Sequence, residues 1–124
     1  MNIALWVIQA LLGLAFISVG PSHAFRVDQM KTRPGMGWVT AVPRGLMTFI
    51  GICEMLGAVG LILPALTGIL PWLTPLAAAL LAVIMLLAAG FHLPRREYRN
   101  MVFNLILLAL AAFVAYGRFV VTPF

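Results

Sequence analysis

Four long apolar blocks constrain the fold of this chain more than any motif does. They run over about residues 2–21, 46–63, 70–91 and 101–121. Each block is close to the roughly 20 residues with which an α-helix crosses the hydrocarbon core of a bilayer. Barrel strands would alternate apolar and polar residues, and the run "LAAALLAVIMLLAAG" shows no such alternation. The sequence therefore predicts an all-α, integral membrane, up-and-down four-helix bundle that forms a single transmembrane domain, residues 1–124.

The composition and the positions of helix-breaking prolines agree with four membrane helices. The chain is 64% hydrophobic and only 9% charged, which leaves too little polar surface to cover a soluble globule. Pro21, Pro64 and Pro94 follow apolar blocks, where helices are expected to end. The "SHA" at residues 22–24 resembles a signal-peptide cleavage site, but no basic segment precedes the first block, which is also longer than a signal core. We therefore expect the first block to be a membrane helix.

Basic residues are concentrated in two of the three connections between the blocks. They are Arg26, Lys31, Arg33 and Arg44 in the first connection and Arg95, Arg96 and Arg99 in the third. Because loops rich in Lys and Arg stay in the cytoplasm, we expect residues 22–45 to form a cytoplasmic loop and both termini to lie outside. This predicts a multi-pass protein of the cell inner membrane. The net charge of +5 is then expected to face the lipid bilayer, and we predict no nucleic-acid partner.

One polar side chain from each block forms the candidate site. Glu54 lies in the middle of the second block, where an isolated carboxylate costs a few kcal/mol. It lies on a stripe of small residues at helical spacing, and such stripes mark the faces on which membrane helices pack. The other blocks carry similar stripes. We expect a ligand-binding polar cluster of His23, Glu54, His92 and Asn104 near the cytoplasmic face, in a cavity lined by Gly20, Gly51 and Gly57.

Each of these residues also has a structural interpretation. Glu54 either fixes the register of the helices as a hydrogen-bonded acid or handles a proton or a ligand. Asn104 is typical of hydrogen bonding between helices, and both histidines are expected near the lipid headgroups. Two histidines can hold a haem iron, but neither lies deep in a block. Cys53 is the single cysteine, so it forms no disulfide within the chain and is expected to be inert; we predict no metal site.

Three stretches carry a resemblance to a known family. They are "FIGICEMLGAVGLILPALTGILPWLTPLAA", "AAGFHL" and "NMVFNLILLALAAFVAYGRF". Together they resemble the DoxX-like family of small four-helix membrane proteins, most specifically in the core at Phe49, Ile50, Gly51, Glu54 and Gly57. Members often have a lysine three residues after a glycine at the end of the first helix, whereas this chain has His23 after Gly20. The resemblance implies links to quinone-coupled sulfur oxidation, redox-stress complexes or modification pathways, without assigning a mechanism.

Three functions remain open on the sequence. The first, which we favour, is an accessory membrane subunit that binds a quinone or another small lipophile for a partner oxidoreductase and carries no cofactor of its own. The second is a membrane enzyme that uses Glu54 and a histidine as acid and base on a lipophilic substrate. The third is a structural assembly protein without a ligand. We expect no self-contained catalytic activity, and association of the protein with copies of itself stays open.

Overall fold

The computed structural model describes the whole chain, residues 1–124, as helices with no strand. The elements are α1 (Asn2–Phe25), α2 (Val27–Met30), a 3₁₀ turn (Gly37–Ala41), α3 (Arg44–Thr67), α4 (Leu73–His92) and α5 (Tyr98–Tyr116), which continues as a π-helical turn (Gly117–Val121). Four of these helices are long and apolar enough to cross a membrane. The predicted all-α class is confirmed, and the chain is a multi-pass membrane protein.

The prolines do not end the helices where the sequence predicts. Pro21 lies inside α1, which continues to Phe25, and Pro64 lies inside α3, which continues to Thr67. A proline removes one backbone hydrogen bond, and near the end of a helix contacts with a neighbouring helix offset this loss. Near the end of α1, the carbonyl of Ala24 accepts a hydrogen bond from the hydroxyl of Thr48, which lies in the first turns of α3. This tertiary contact supports the part of α1 beyond Pro21.

The other boundaries shift for local reasons. We predict the third helix from residue 70, but Leu70 has a left-handed backbone with a φ of 48°, and α4 begins at Leu73. α3 ends at Thr67 and is followed by Gly68, whose φ of 72° suits a residue without a Cβ. α5 begins at Tyr98 rather than 101, so it includes part of the basic segment "RREYR".

The four long helices pack pairwise. α1 packs mainly on α3, α4 packs mainly on α5, and α3 joins the two pairs through α4. The main core is apolar, and its fully buried members are Leu5, Leu12, Phe16, Leu61, Ala78, Leu81, Ala111 and Val114. Large side chains such as Leu56, Leu87 and Phe49 point away from the core and are exposed, as lipid-facing residues are. The inward faces thus combine large apolar side chains with small residues such as Ala78 and Ala111.

The first connection folds back onto one end of the bundle. Val27, Met30 and Val39 form a small core with Met47 of α3. The guanidinium of Arg44 pairs with the carboxylate of Asp28, and this hydrogen bond, together with the charge of Arg44, lowers the pKa of Asp28. We call the end that carries residues 26–43 and 93–97 the basic end, and the opposite end, which carries both termini and residues 68–72, the terminal end.

Candidate functional site

A histidine and a glutamate from two helices meet inside the basic end. Nδ1 of His23 on α1 lies 2.5 Å from Oε1 of Glu54 on α3. The Glu54 side chain is 1% exposed and that of His23 is 13% exposed. A buried carboxylate requires a partner, and His23 supplies it through a hydrogen bond that also fixes which ring nitrogen faces the acid. The last turn of α1, beyond Pro21, is what places His23 there.

The backbones of α1 and α3 touch directly beside this pair. A Cβ added at Gly51 would lie 2.5 Å from the backbone nitrogen of Ala24, and one added at Gly20 would lie 2.9 Å from the carbonyl oxygen of Gly51. A Cβ at Gly57 would lie 2.7 Å from the side chain of Leu81. The three glycines predicted to line a cavity thus lie at helix contacts, where neighbouring atoms fill the space. Gly20 and Gly51 let α1 and α3 approach closely enough for His23 to reach Glu54.

His92 belongs to a second acid–base group at the same end. Its Nδ1 lies 2.9 Å from Oε1 of Glu97, which also accepts a hydrogen bond of 2.9 Å from Nε of Arg95. Partial burial raises the pKa of the Glu97 carboxyl, but the hydrogen bonds from His92 and Arg95 outweigh this effect and lower the pKa below its ordinary value. Glu97 thus satisfies His92 from the connection between α4 and α5.

Trp38 lies between the two histidines. Its indole ring contacts the ring of His23 edge-on at 5.9 Å between centroids and that of His92 at 5.2 Å. The indole also packs edge-on against Phe91. Its Nε1–H is buried and has no hydrogen-bond partner, although a buried indole N–H usually has one. The structure therefore contains a free donor next to the His23–Glu54 pair.

Asn104 lies at the same end but makes no side-chain hydrogen bond. It is half-buried on α5, one turn deeper than Asn100, whose amide donates to the carbonyl of Gly35 over 3.4 Å. The structure thus brings His23 and His92 against Trp38 and pairs Glu54 with His23, whereas it shows no hydrogen bond that joins Asn104 to this group. A shallow, open pocket of about 440 Å³ lies nearby at the surface, and Glu97 and Asn100 are among its lining residues. The binding role of this cluster stays a prediction.

Sequence reasoning missed Trp38 and a second polar cluster at the terminal end. Gln9 is fully buried and donates to the carbonyl of Leu61 over 2.7 Å. Arg118, 2% exposed, donates through Nε to Oε1 of Gln9 over 2.8 Å. The sequence does indicate that Arg118 is buried, because it lies two helical turns after the buried Ala111 and therefore on the same face of the helix. No comparable pattern marks Trp38, which lies in a loop.

Cys53 is the residue before Glu54 in the sequence. Its thiol is free and half-buried. No group of three or more His, Cys, Asp or Glu side chains is placed to hold a metal ion. The two histidines and Glu54 can exchange protons, and the indole N–H of Trp38 can donate a hydrogen bond.

Comparison with known proteins identifies a family. The model of the DoxX-like family matches residues 7–114, which include all four long helices in whole or in large part. No curated protein and no solved structure matches the chain.

Proposed function

The chain belongs to the DoxX-like family, and we propose that it binds a small lipophile with a carbonyl head group, such as a quinone, at the basic end of its bundle. The observation that carries this proposal is the buried, unpartnered Nε1–H of Trp38 beside the His23–Glu54 pair. A buried donor without an acceptor costs about 1–3 kcal/mol, and a carbonyl oxygen would remove this cost. The apolar helices suit the tail of such a ligand.

The His23–Glu54 pair gives the proposed site a way to exchange protons. The carboxylate on Nδ1 holds the imidazole in one orientation and leaves Nε2 as the second proton-carrying nitrogen. A quinone takes up two protons when it is reduced by two electrons. We assign the electrons to a partner oxidoreductase and proton exchange to His23, which makes this chain an accessory subunit. Trp38 is half-buried in the 3₁₀ turn, so the proposed binding requires this turn to shift and admit the head group.

We further propose that the basic end faces the cytoplasm in the cell inner membrane. The seven basic residues at positions 26, 31, 33, 44, 95, 96 and 99 all lie in or beside the two connections at this end. Lys and Arg near membrane helices favour the cytoplasmic side. The ligand would then enter from the cytoplasmic leaflet.

The short His23–Glu54 contact also favours a second candidate, an acid–base enzyme that acts on a lipophilic substrate. A histidine held by a carboxylate is a common general base. The two candidates differ in one observable property, since an accessory subunit releases the lipophile unchanged, whereas an enzyme changes its mass during incubation.

Equilibrium dialysis of a short-tailed benzoquinone against the purified protein tests the proposal. Trp38→Phe removes the donor and keeps an aromatic ring, and we expect it to weaken binding about threefold to tenfold, the effect of one hydrogen bond. Trp72→Phe is the matched control, because Trp72 is exposed at the terminal end. Equal binding by the wild-type protein and Trp38→Phe would exclude the Trp38 site.

A further inference from the structure

Arg118 carries a buried charge, and no acidic side chain of the chain pairs with it. Its side chain is 2% exposed near the end of α5. The chain contains three acidic residues, Asp28, Glu54 and Glu97, and each is paired with a basic group at the basic end. A buried cation without an anion is costly, because neutral groups replace the lost hydration only in part.

Neutral groups surround most of the guanidinium. Nε donates to Oε1 of Gln9 over 2.8 Å, and Nη1 donates to Oδ1 of Asn2 over 2.7 Å and to the carbonyl of Thr122 over 3.2 Å. The rings of Trp6 and Phe124 lie 5.6 Å and 4.1 Å from Cζ. Such acceptors and aromatic faces stabilise a cation partly, without neutralising it.

Two donors at this site have no acceptor. Nη2 of Arg118 and Oγ1 of Thr122 are both buried and make no hydrogen bond. They belong to residues already in contact, since Nη1 of Arg118 reaches the Thr122 carbonyl. A guanidinium N–H and a hydroxyl on two contacting residues can donate to two oxygens of one oxyanion, and charge-assisted hydrogen bonds of this type are strong.

We propose that Arg118 and Thr122 form a binding site for an oxyanion at the terminal end of the bundle. The Phe124 ring, 47% exposed, covers the guanidinium, so its rotation opens the site to the surface. The oxyanion is a phosphate group, carried either by the headgroup of an anionic lipid or by a free ion. This site is separate from the quinone-like site at the basic end and does not depend on it.

Thr122→Val tests this site without disturbing the fold. The change keeps the side-chain shape and removes a hydroxyl that makes no hydrogen bond, so stability without an anion is expected to stay equal or rise. The matched control is Thr67→Val, an exposed threonine at the same end whose hydroxyl donates to the carbonyl of Leu63 within its own helix. The full chain in an uncharged detergent is titrated with short-chain phosphatidylglycerol and, separately, with inorganic phosphate, while the midpoint of thermal unfolding is measured.

We expect the midpoint of the wild-type protein and of Thr67→Val to rise, because ligands that bind the folded state stabilise it. Thr122→Val should need about tenfold more of the same probe, which corresponds to about 1.4 kcal/mol. A response to phosphatidylglycerol alone assigns the site to a lipid headgroup, and a response to both probes assigns it to a free oxyanion. Equal titrations of the wild-type protein and Thr122→Val, or no response to either probe, would overturn the proposal.

Discussion

Replacing either member of the His23–Glu54 pair with leucine should destabilise the fold, whereas replacing both should cost less than the sum of the single changes. The two side chains are in direct contact over 2.5 Å, and Glu54 is 1% exposed. A single replacement leaves the remaining polar group buried without a partner. The double replacement leaves an apolar contact between α1 and α3, which the interior tolerates.

The expected costs follow from the burial of the group that remains. His23→Leu leaves Glu54 fully buried, and the loss is expected to be about 3 kcal/mol, at the lower end of the range for a broken buried pair. Glu54→Leu leaves His23, which keeps 13% exposure to water, and the loss is expected to be about 2 kcal/mol. If the double variant costs about 2 kcal/mol, the coupling energy is about 3 kcal/mol. Glu54→Gln keeps a hydrogen-bonding group and should preserve folding.

The assay is reversible unfolding in mixed micelles, followed by the loss of helical circular dichroism as the denaturing detergent increases. Ile52→Leu, a change of similar type on the exposed face of α3, is the control and should leave the unfolding midpoint unchanged. Additive costs in the double variant would refute the reasoning, since two groups that do not interact lose stability independently.

Three further predictions concern packing, pH and orientation. Gly51→Ala should lower stability by about 1–3 kcal/mol in the same unfolding assay, because the new Cβ meets the backbone of α1, whereas Gly90→Ala meets open space and should not destabilise. The fold lowers the pKa of Glu97, so the stability that its carboxylate contributes is present above the ordinary pKa of 4.5 and is lost as the pH falls through the folded pKa. Glu97→Gln should therefore lose less stability than the wild-type protein when the pH is lowered from 6 into the acid range. Equal slopes of stability against pH for the two proteins would contradict this. In a Cys53→Ala background, an impermeant maleimide added to whole cells should label Thr67→Cys and not Gln29→Cys, and the reverse labelling would refute the proposed orientation.

The helices were predictable because their cause is local in the sequence. An apolar block of membrane length must be helical, since the backbone has no water to bind in lipid. The small-residue stripes likewise placed Glu54 and His92 on buried faces, where the structure has them. The helix ends were less predictable, because contacts between α1 and α3 extend the helix past Pro21.

The partners within the site were not predictable from periodicity. Spacing places His23 and Glu54 on inner faces, but only the close approach at Gly20 and Gly51 brings them into contact. The position of Trp38 depends on how the first connection folds over the bundle, which no repeating pattern encodes. Arg118 lies on the same helix face as the buried Ala111, although a charged side chain is ordinarily expected at the surface.

Native mass spectrometry after gentle extraction tests the proposed function most directly. The account predicts that the wild-type protein carries a lipophile of defined mass and that Trp38→Phe carries less of it, while Trp72→Phe retains it. The lipophile should keep its mass during incubation if the chain is an accessory subunit. A wild-type protein that carries no lipophile, or equal retention by Trp38→Phe and the wild-type protein, would contradict the account.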